Sequence, residues 1–291
     1  MISVIITAYK EPNTIRKAIE SFLNQDFKEK YEIVVVCPDD ETTSVVKKYK
    51  NVKLIKDNNK GKPAALNLAF SHCKKSDIFV LSDGDVYIGS NSLSELIKPF
   101  SDHDVGAVSG RPVSLNSRNN LYGYWSHLLT DVGAHETRML LSRKNNFIVC
   151  SGYLMAIRNI IDSVPEESLS DDAVISNLIY AKGYTTAYCP KALVYVKYPD
   201  NFNDWIGQKK RSAGGYLQIK KFAYREDSMR SFVKESGGFF RAFKYSSNVK
   251  EFFWTVLLVF ARLYLWLVIF VDLKIRRKPF GKVWKRIEST K

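Results

Sequence analysis

Two carboxylates that follow a short apolar run are well placed to bind a metal ion. Residues 78–81 are all apolar, and Ser82 then leads into Asp83, Gly84 and Asp85. A continuous apolar run that ends in polar residues predicts a strand buried on both faces of a parallel sheet. Ligands of such sheets bind outside the carboxyl ends of the strands. Two hard oxygen donors there suit Mg²⁺ or Mn²⁺ holding a diphosphate, whereas the alternative is an Asp-Gly turn that binds nothing.

A second pair of carboxylates, Asp171 and Asp172, lies at the predicted start of a helix. Ser170 before them is a residue type that caps helices, and apolar residues follow at 173–175. Taken alone, the two aspartates predict only charges that complement the helix dipole, a contribution of about 0.3–1 kcal/mol.

The strands and helices that must position these carboxylates alternate along the first part of the chain. Apolar runs predict the strands, and segments with apolar residues at helical spacing lie between them. The predicted strands are residues 2–6, 33–36, 52–55 and 78–81. This alternation is typical of βαβ units and a parallel sheet in an α/β nucleotide-binding fold. The chain has neither a Gly-x-Gly-x-x-Gly nor a Walker A sequence, which argues against a dinucleotide cofactor and P-loop ATP chemistry.

Beyond residue 100 the predicted elements are shorter and more varied. Residues 105–109 and 147–157 predict further strands, and residues 183–196 predict a final pair of short strands. Residues 121–141 are aromatic and amphipathic, and they predict a helix that lies either in the core or at a membrane surface. We favour the core for this helix.

The formal net charge of +14 is concentrated in the last third of the chain. Residues 1–196 carry 23 Lys and Arg against 22 Asp and Glu, whereas residues 197–291 carry 21 against 8. The same third contains the most apolar run, residues 252–271, and about 20 residues is the length that crosses a bilayer. A basic and strongly apolar segment favours an anionic membrane surface over nucleic acid as the partner.

The position of charges in and after the apolar run bears on how it meets the membrane. Arg262 in its middle opposes a full crossing by roughly 2.5–3.5 kcal/mol. The basic residues at 274–278 follow directly, and basic segments stay on the cytosolic side. A spanning helix would separate this flank from the body of the protein, so an in-plane or re-entrant element, or a hairpin, fits better than a span.

The four cysteines and the N-terminus predict a cytosolic location for the body of the protein. Cys37, Cys73, Cys150 and Cys189 are widely spaced and form no Cys-x-x-Cys pair, which disfavours disulfides and zinc and favours a reducing compartment. The apolar start of the chain is interrupted within a few residues, unlike a signal peptide. We therefore expect a membrane-associated protein whose main domain is cytoplasmic.

Five short segments, in this order along the chain, resemble the family 2 glycosyltransferases of the GT-A fold. They are the opening strand and nucleotide loop at residues 4–11, the Gly-Lys-x-x-Ala-Leu-Asn sequence at 61–67, the Asp-x-Asp motif at 83–85, a counterpart of Thr-Glu-Asp at 170–172, and the two ends of Gln-x-x-Arg-Trp at Gln208 and Arg211. The resemblance covers roughly residues 2–220. Each motif is short, but the ordered set is specific.

The resemblance implies an α/β fold of the GT-A type, a Rossmann-like mixed sheet flanked by helices, and a role for each matching residue. The residues implied to contact the base, ribose or diphosphate of a nucleotide-sugar donor are Thr7, Tyr9, Glu11, Lys62, Asp83, Gln208 and Arg211. The implied metal ligands for Mg²⁺ or Mn²⁺ are Asp83 and Asp85. The final carboxylate, Asp172, is implied as the catalytic base, which takes a proton from the acceptor hydroxyl and gives inversion. Adjacent helical residues point about 100° apart, so we expect Asp172 but not Asp171 to face the donor.

Two positions depart from the pattern of the resembled family. Its second strand ends in an Asp-Asp-Gly-Ser type of loop, whereas here residues 37–40 follow the strand, and Asp39 is our candidate for the carboxylate that contacts the base. Ser212 replaces the tryptophan that supports the acceptor in processive enzymes, which argues against a polymer synthase.

From these observations we expect two parts, a catalytic domain at residues 1–220 and a basic, apolar, membrane-associated region at 221–291. The implied activity is transfer of a sugar from a UDP-sugar or another nucleotide sugar to a hydroxyl of a lipid-linked or polysaccharide acceptor. The expected partners are the donor, this acceptor and the membrane, with no nucleic acid. The alternatives are a nucleotidyltransferase that uses the same two carboxylates and a non-enzymatic basic module that binds membrane or nucleic acid.

Overall fold

A single mixed sheet of eight strands organises the chain. The computed structural model describes residues 1–222, 239–272 and 288–290. The strands lie in the order β3-β2-β1-β4-β7-β6-β8-β5. Their bounds are β1 Ile2–Thr7, β2 Tyr31–Val36, β3 Val52–Ile55, β4 Ile78–Asp83, β5 Tyr87–Ile88, β6 Val105–Ser114, β7 Leu154–Arg158 and β8 Thr185–Val196.

The first four strands form a parallel half-sheet, as their apolar runs predict. β1 lies between β2 and β4, and its register pairs Thr7 with Val36 on one side and with Asp83 on the other. Val4, Ile5 and Ile6 are fully buried because helices cover both faces of the sheet. The parallel register brings the polar ends of β1 and β4 to the same edge.

The second half of the sheet is mixed. β7 pairs antiparallel with both β4 and β6, and β6 pairs parallel with β8. The predicted pair of short strands at 183–196 is one strand, β8, whose pairing with β6 shifts register between Ser109 and Arg111. The break in pairing, together with alternating polar residues, explains why the sequence favours two strands there.

Helices cover both faces of the sheet. Their bounds are α1 Ile15–Leu23, α2 Asp40–Val46, α3 Lys62–His72, α4 Ser92–Ile97, α5 Leu121–Leu128, α6 Thr137–Arg143, α7 Asp171–Ala181, α8 Phe202–Phe222, α9 Phe239–Lys244 and α10 Val249–Phe270. α1 and α4 pack in one apolar cluster, and α3 and α7 in the other. Short 3-10 segments lie at Lys98–Ser101 and Glu288–Thr290.

The aromatic segment at 121–141 is helical and buried, as favoured from the sequence. α5 continues into a π-helical stretch, Leu129–Glu136, before α6 begins. Tyr124 is fully buried, and Trp125 and Leu128 are each 3% exposed. They pack against Trp205 of α8 and Leu258 of α10, so this core includes residues from the C-terminal region.

Among the described residues, α10 is the helix long and apolar enough by composition to cross a membrane. One of its faces is buried against the domain, through Thr255, Leu258, Ala261, Leu265 and Ile269. The opposite face is exposed and consists of large apolar side chains: Phe253, Leu257, Phe260, Tyr264, Leu267 and Phe270. The basic flank expected at 274–278 lies outside the described residues.

Polar contacts fix α10 to α5 and to the loop before it. Arg118 forms two hydrogen bonds of 2.8 Å to the carboxylate of Glu251, which is 6% exposed. The hydroxyl oxygens of Tyr124 and Thr255 lie 2.7 Å apart, and Trp125 donates to the carbonyl of Trp254 at 2.7 Å. The helix of the C-terminal region is thus joined to the N-terminal domain by specific contacts as well as by apolar packing.

Candidate active site

A cavity of about 760 Å³ opens at the carboxyl edge of β1 and β4. Most residues singled out from the sequence line it: Thr7, Tyr9, Glu11, Lys62, Asp83, Asp85, Asp172, Gln208 and Arg211. Asp39 does not line the cavity. The structure therefore brings together residues that are separated by up to two hundred positions in the sequence.

The turn that carries Asp83 and Asp85 is held against the loop after β1. Thr7 donates from its hydroxyl to Asp83 at 3.3 Å, and its carbonyl accepts from the N–H of Gly84 at 2.9 Å. A Cβ at position 84 would lie 2.3 Å from Oε2 of Glu11 and 2.8 Å from Cβ of Ala8. Only glycine permits this approach, which places three carboxylates on one short stretch of the cavity wall.

Lys62, in the first turn of α3, bridges two of the carboxylates. Its Nζ lies 2.7 Å from Oδ1 of Asp83 and 3.2 Å from Oδ2 of Asp171. Burial alone would lower the pKa of Lys62, but the carboxylates of Asp171 and Asp83 outweigh it and raise the pKa. Burial raises the pKa of Asp171, with Lys62 opposing this shift and Asp172 and Asp83 adding to it. Lys62 is thus a cation held inside the site.

Asp172 is held by neutral donors. Its Oδ1 accepts from the hydroxyl of Ser170 at 2.6 Å and from the N–H of Ala173 at 2.9 Å, and its Oδ2 accepts from the N–H of Gly152 at 3.1 Å. Ser170 makes no side-chain capping bond, contrary to the expectation, because its hydroxyl is used on Asp172. Asp171 also lines the cavity, so both carboxylates face it, contrary to the expectation that only one would.

The helix α8 brings Gln208 and Arg211 to the cavity. Nε2 of Gln208 donates to the hydroxyl of Tyr153 at 3.5 Å. A Cβ at Gly215 would lie 2.4 Å from Cβ of Ser170, so α8 crosses the start of α7 at the closest possible distance. The position of α8 is thereby linked to the residue that holds Asp172.

Sequence reasoning missed several residues in the cavity wall, and Tyr153 is one of them. Burial raises the pKa of Tyr153, as do the nearby carboxylates of Asp85, Asp83 and Asp172, while Arg211 opposes the shift. The sequence predicts only a strand over residues 147–157, which gives no sign that Tyr153 lies in the site.

Asp39 supports the loop after β1 and the start of α2 and does not line the cavity. Its carboxylate accepts from the backbone N–H of Lys10 at 2.7 Å and from that of Thr42 at 2.9 Å, and it caps α2. Burial raises the pKa of Asp39, but these hydrogen bonds outweigh it and the net pKa is lowered. Asp57, which follows β3, lines the cavity. An acidic residue after a strand marks the correct edge of the sheet but does not reveal which strand's residue points inward.

Asp83 and Asp85 suit a divalent cation that arrives with a nucleotide. The described residues contain no group of three or more His, Cys, Asp or Glu arranged for a metal ion. Two carboxylates fit the usual coordination of Mg²⁺, which binds one or two carboxylates of the protein and completes its coordination with phosphate oxygens and water. The donor set therefore fits a cation shared with a diphosphate.

Comparison with known proteins shows which family and which relatives this chain resembles. Residues 1–215 match the sequence model of the family "Glycosyltransferase like family 2". A hyaluronan synthase of Streptococcus pyogenes is 30% identical over 165 residues, which are 53% of this chain and 39% of that protein. A probable glycosyltransferase of Bacillus subtilis is 25% identical over 240 residues, 76% of this chain and 57% of that protein. The chain thus spans about two fifths to three fifths of these relatives.

Solved structures show the same fold. A mannosyltransferase from Pyrobaculum calidifontis, in complex with GDP-Man and Mn²⁺, superposes with a TM-score of 0.63 at 20% identity, covering 97% of this chain and 82% of that one. TarS of S. aureus, residues 1–349 with UDP-GlcNAc, superposes with a TM-score of 0.55 at 18% identity, covering 93% and 80%. The expected mixed α/β sheet of the GT-A type is confirmed. Because the family model matches nearly three quarters of its length, the chain belongs to glycosyltransferase-like family 2.

Proposed function

We propose that the chain transfers a sugar from a nucleoside diphosphate sugar, with UDP as the first candidate, to an acceptor hydroxyl with inversion at the anomeric carbon. The observation that carries this proposal is the cavity that Asp83, Asp85, Lys62 and Asp172 line together. The first three suit a diphosphate and its cation, and the last suits a proton acceptor. A reaction that needs a leaving diphosphate and a deprotonated hydroxyl uses both groups.

The donor binds at the carboxyl edge of the parallel half-sheet in this proposal. Thr7, at the end of β1, and Tyr9 and Glu11, on the loop that follows, contact the nucleoside. Asp39 acts at a distance by ordering the backbone of Lys10 in this loop. A divalent cation on Asp83 and Asp85, Mg²⁺ or Mn²⁺, would supply positive charge that offsets the charge developing on the diphosphate.

Three side chains contribute further to the binding of the diphosphate. Lys62 and Arg211 add positive charge from the protein, and Gln208 offers an amide group on the same face of α8 as Arg211. Lys62 lies beside the proposed metal ligand Asp83, so it can neutralise the carboxylate before the donor arrives and the diphosphate afterwards.

Asp172 takes the proton of the acceptor hydroxyl. The three donors that hold it leave lone pairs on its oxygens, and within the part of the chain that the structure describes Oδ2 accepts one bond, from Gly152. These donors keep the carboxylate oriented, which a general base requires in order to meet the hydroxyl at hydrogen-bond distance. Asp171, held by Lys62, has the position of a structural counter-charge.

A donor screen tests the first step. Thermal unfolding is followed with UDP-, GDP- and dTDP-sugars in the presence and absence of Mn²⁺. The proposal expects one of these donors to raise the melting temperature only when the cation is present, since a bound ligand stabilises the native state. If no nucleotide sugar stabilises the chain with either Mn²⁺ or Mg²⁺, the donor site proposed here is wrong.

Product analysis separates sugar transfer from nucleotidyl transfer, the alternative that uses the same two carboxylates. A donor labelled in both the sugar and the β-phosphate is incubated with a membrane extract. Sugar transfer leaves the β-phosphate in a nucleoside diphosphate and moves the sugar label to the acceptor. Nucleotidyl transfer moves a nucleoside monophosphate and releases the labelled phosphate with the sugar.

We also place the protein at the cytosolic face of a membrane, with α10 lying in the plane of the interface and a lipid-linked or polysaccharide acceptor. The support is that one face of α10 is packed on the domain along the whole helix, whereas the other is apolar and exposed. Helices with this division of faces insert to the depth of the headgroups. The same packing favours an in-plane helix over one that leaves the domain to span a bilayer.

Vesicle flotation tests this placement. In the variant Phe253→Ser/Phe260→Ser/Leu267→Ser only the outer face of α10 is changed, and the proposal expects it to stay with the soluble fraction while the native chain floats. Each large apolar side chain contributes about 1.5–3 kcal/mol when fully buried. Leu23→Ser, at an exposed apolar residue of α1, is the control. A native chain that remains soluble without detergent would refute the membrane proposal and leave the donor site untouched.

A further inference from the structure

Arg138, on α6, is a buried charge that the activity proposed above does not use. Its side chain lines the cavity, yet the residue is only 8% exposed. Nε donates to the carbonyl of Val149 at 3.1 Å. Within residues 1–222, 239–272 and 288–290 it forms no ion pair. A guanidinium group can make five hydrogen bonds, so most of its donors are left for something inside the cavity.

The surroundings of Arg138 do not neutralise it. Burial raises the pKa of Tyr188, and the positive charges of Arg138 and Arg111 oppose this shift, so both guanidinium groups lie in the neighbourhood of that side chain. Asp131, whose charge also acts on the pKa of Tyr188, has other partners: its Oδ1 lies 3.7 Å from Arg111, and its Oδ2 accepts a bond of 2.6 Å from the hydroxyl of Tyr245.

A buried charge without a counter-charge destabilises a fold by several kcal/mol. Proteins retain such a residue where a ligand supplies the opposite charge. Guanidinium groups suit oxyanions, since two parallel N–H donors match the two oxygens of a carboxylate or a phosphate. The chemistry of the residue thus points to an anionic ligand group.

The location of Arg138 assigns that group to the acceptor. The segment from Val149 to Gly152 joins Arg138 to the proposed base, because Val149 accepts from Arg138 and Gly152 donates to Asp172. α6 packs on β8, in the half of the sheet away from β1, β2 and β3. The nucleoside is expected at those first strands, so Arg138 lies in the half of the sheet away from it, as does α7, which carries the proposed base and packs on β6 and β8.

We propose that Arg138 binds an oxyanion, a phosphate or a carboxylate, that the acceptor carries close to the hydroxyl that receives the sugar. This inference rests on the proposed function and makes it more specific, because neutral acceptors would leave the guanidinium group unpaired. Two sources share this chemistry, the phosphate of a lipid carrier and the carboxylate of an acidic sugar.

The test uses the full chain with its nucleotide site already filled, so that added anions do not bind there. In saturating UDP and Mn²⁺, or the nucleoside diphosphate that the donor screen identifies, binding of four probes is measured at constant ionic strength. Geranyl phosphate is compared with geraniol, and glucuronate with glucose. The variants are Arg138→Gln, and Arg143→Gln as a control at an exposed arginine of the same helix.

The proposal expects the native chain and Arg143→Gln to bind at least one anionic probe more tightly than its neutral counterpart, and Arg138→Gln to lose at least about 10-fold of that preference. Preference for geranyl phosphate identifies a lipid phosphate as the source, and preference for glucuronate identifies an acidic sugar. Equal binding of anionic and neutral probes to the native chain overturns the proposal, as does an unchanged preference in Arg138→Gln.

Two controls keep the result decisive. If Arg138→Gln fails to bind UDP because it does not fold, Arg138→Lys replaces it, since lysine retains the charge and loses the paired donors. An undiminished affinity of Arg138→Lys for both anions then overturns the proposal. If the native chain binds no nucleoside diphosphate at all, it is the proposed function that fails, whereas binding of UDP without any preference for anions refutes only the role of Arg138.

Discussion

The two walls of the cavity are built in different ways. The wall at β1 and β4 consists of side chains that follow directly on strands, and the register of the sheet fixes their positions, as in the pairing of Thr7 with Asp83. The wall formed by α5, α8 and the π-helical stretch is held in place by contacts between residues far apart in sequence, such as Arg118 before α5 and Glu251 of α10, which are 133 positions apart. Substitutions of the site residues in the first wall should change chemistry, whereas substitutions of the contacts that hold the second wall in place should change stability.

The largest effect is expected where the two walls meet, at Asp172. Asp172→Asn removes the proposed proton acceptor while keeping the size of the side chain, so turnover should fall by about 10²-fold or more. Donor binding should remain, since Asp172 takes its hydrogen bonds from Ser170, Ala173 and Gly152. Steady-state kinetics together with calorimetry of UDP measure the two quantities.

Asp171→Asn is the matched comparison for this prediction. Asp171 pairs with Lys62, so its loss should weaken donor binding more than turnover. If Asp171→Asn reduces turnover more than Asp172→Asn does, the assignment of the base is wrong.

A smaller loss is expected for Asp85→Ala in the first wall. Losing one charge-assisted interaction of about 1.5–3 kcal/mol reduces affinity roughly 10- to 150-fold, here for UDP in the presence of Mn²⁺. Asp77→Ala, at an exposed carboxylate before the other end of β4, should leave affinity unchanged. Calorimetry with and without Mn²⁺ checks both, and an unchanged affinity in Asp85→Ala would remove the metal site from the account.

Arg118→Met should lower stability and leave nucleotide binding unchanged, as expected for a contact that holds the second wall in place. It leaves Glu251 buried and without its partner, but Arg118 itself is partly exposed, so the free energy of unfolding should fall by about 1–3 kcal/mol. Lys53→Met breaks an exposed ion pair with Glu32 and should cost less than about 1 kcal/mol. Urea unfolding followed by fluorescence compares them, and equal costs would mean that the contact between α10 and the domain is not specific.

The smallest predicted effect concerns a single hydrogen bond. Ser170→Ala removes the 2.6 Å bond to Asp172, and a contribution of about 0.5–1.5 kcal/mol corresponds to a roughly 2- to 10-fold loss of turnover. Ser168→Ala removes a hydroxyl two residues away that bonds to the carbonyl of Pro165. Kinetics of the pair show whether orientation of Asp172 matters, and equal losses would contradict it.

The same contrast explains what could be predicted from the sequence. The four parallel strands follow from apolar runs that end in polar residues, and the sheet edge then gathers Thr7, Asp83 and Asp85. Features of the second wall depend on pairs that no local pattern encodes: the contact of α10 with α5, the hydroxyl of Ser170 turned to Asp172, and the carbonyl of Val149 that holds Arg138. Sequence reasoning selected Asp39, whereas Asp57 lines the cavity. The reason is again non-local, since the direction of a side chain in a loop depends on its tertiary neighbours.

The packing of α10 would also set the distance between the cavity and the lipid. α10 contacts α5 and α8, which line the cavity, and packed helices lie about 8–10 Å apart. With its outer face in the headgroup layer, α10 would hold the cavity at a constant height of about one helix diameter above the lipid and at a constant tilt. The hydroxyl of an acceptor anchored in the bilayer could then reach Asp172 only if the segment between the anchor and the hydroxyl has the matching length. The position of this helix would therefore select acceptors by length as well as by chemistry.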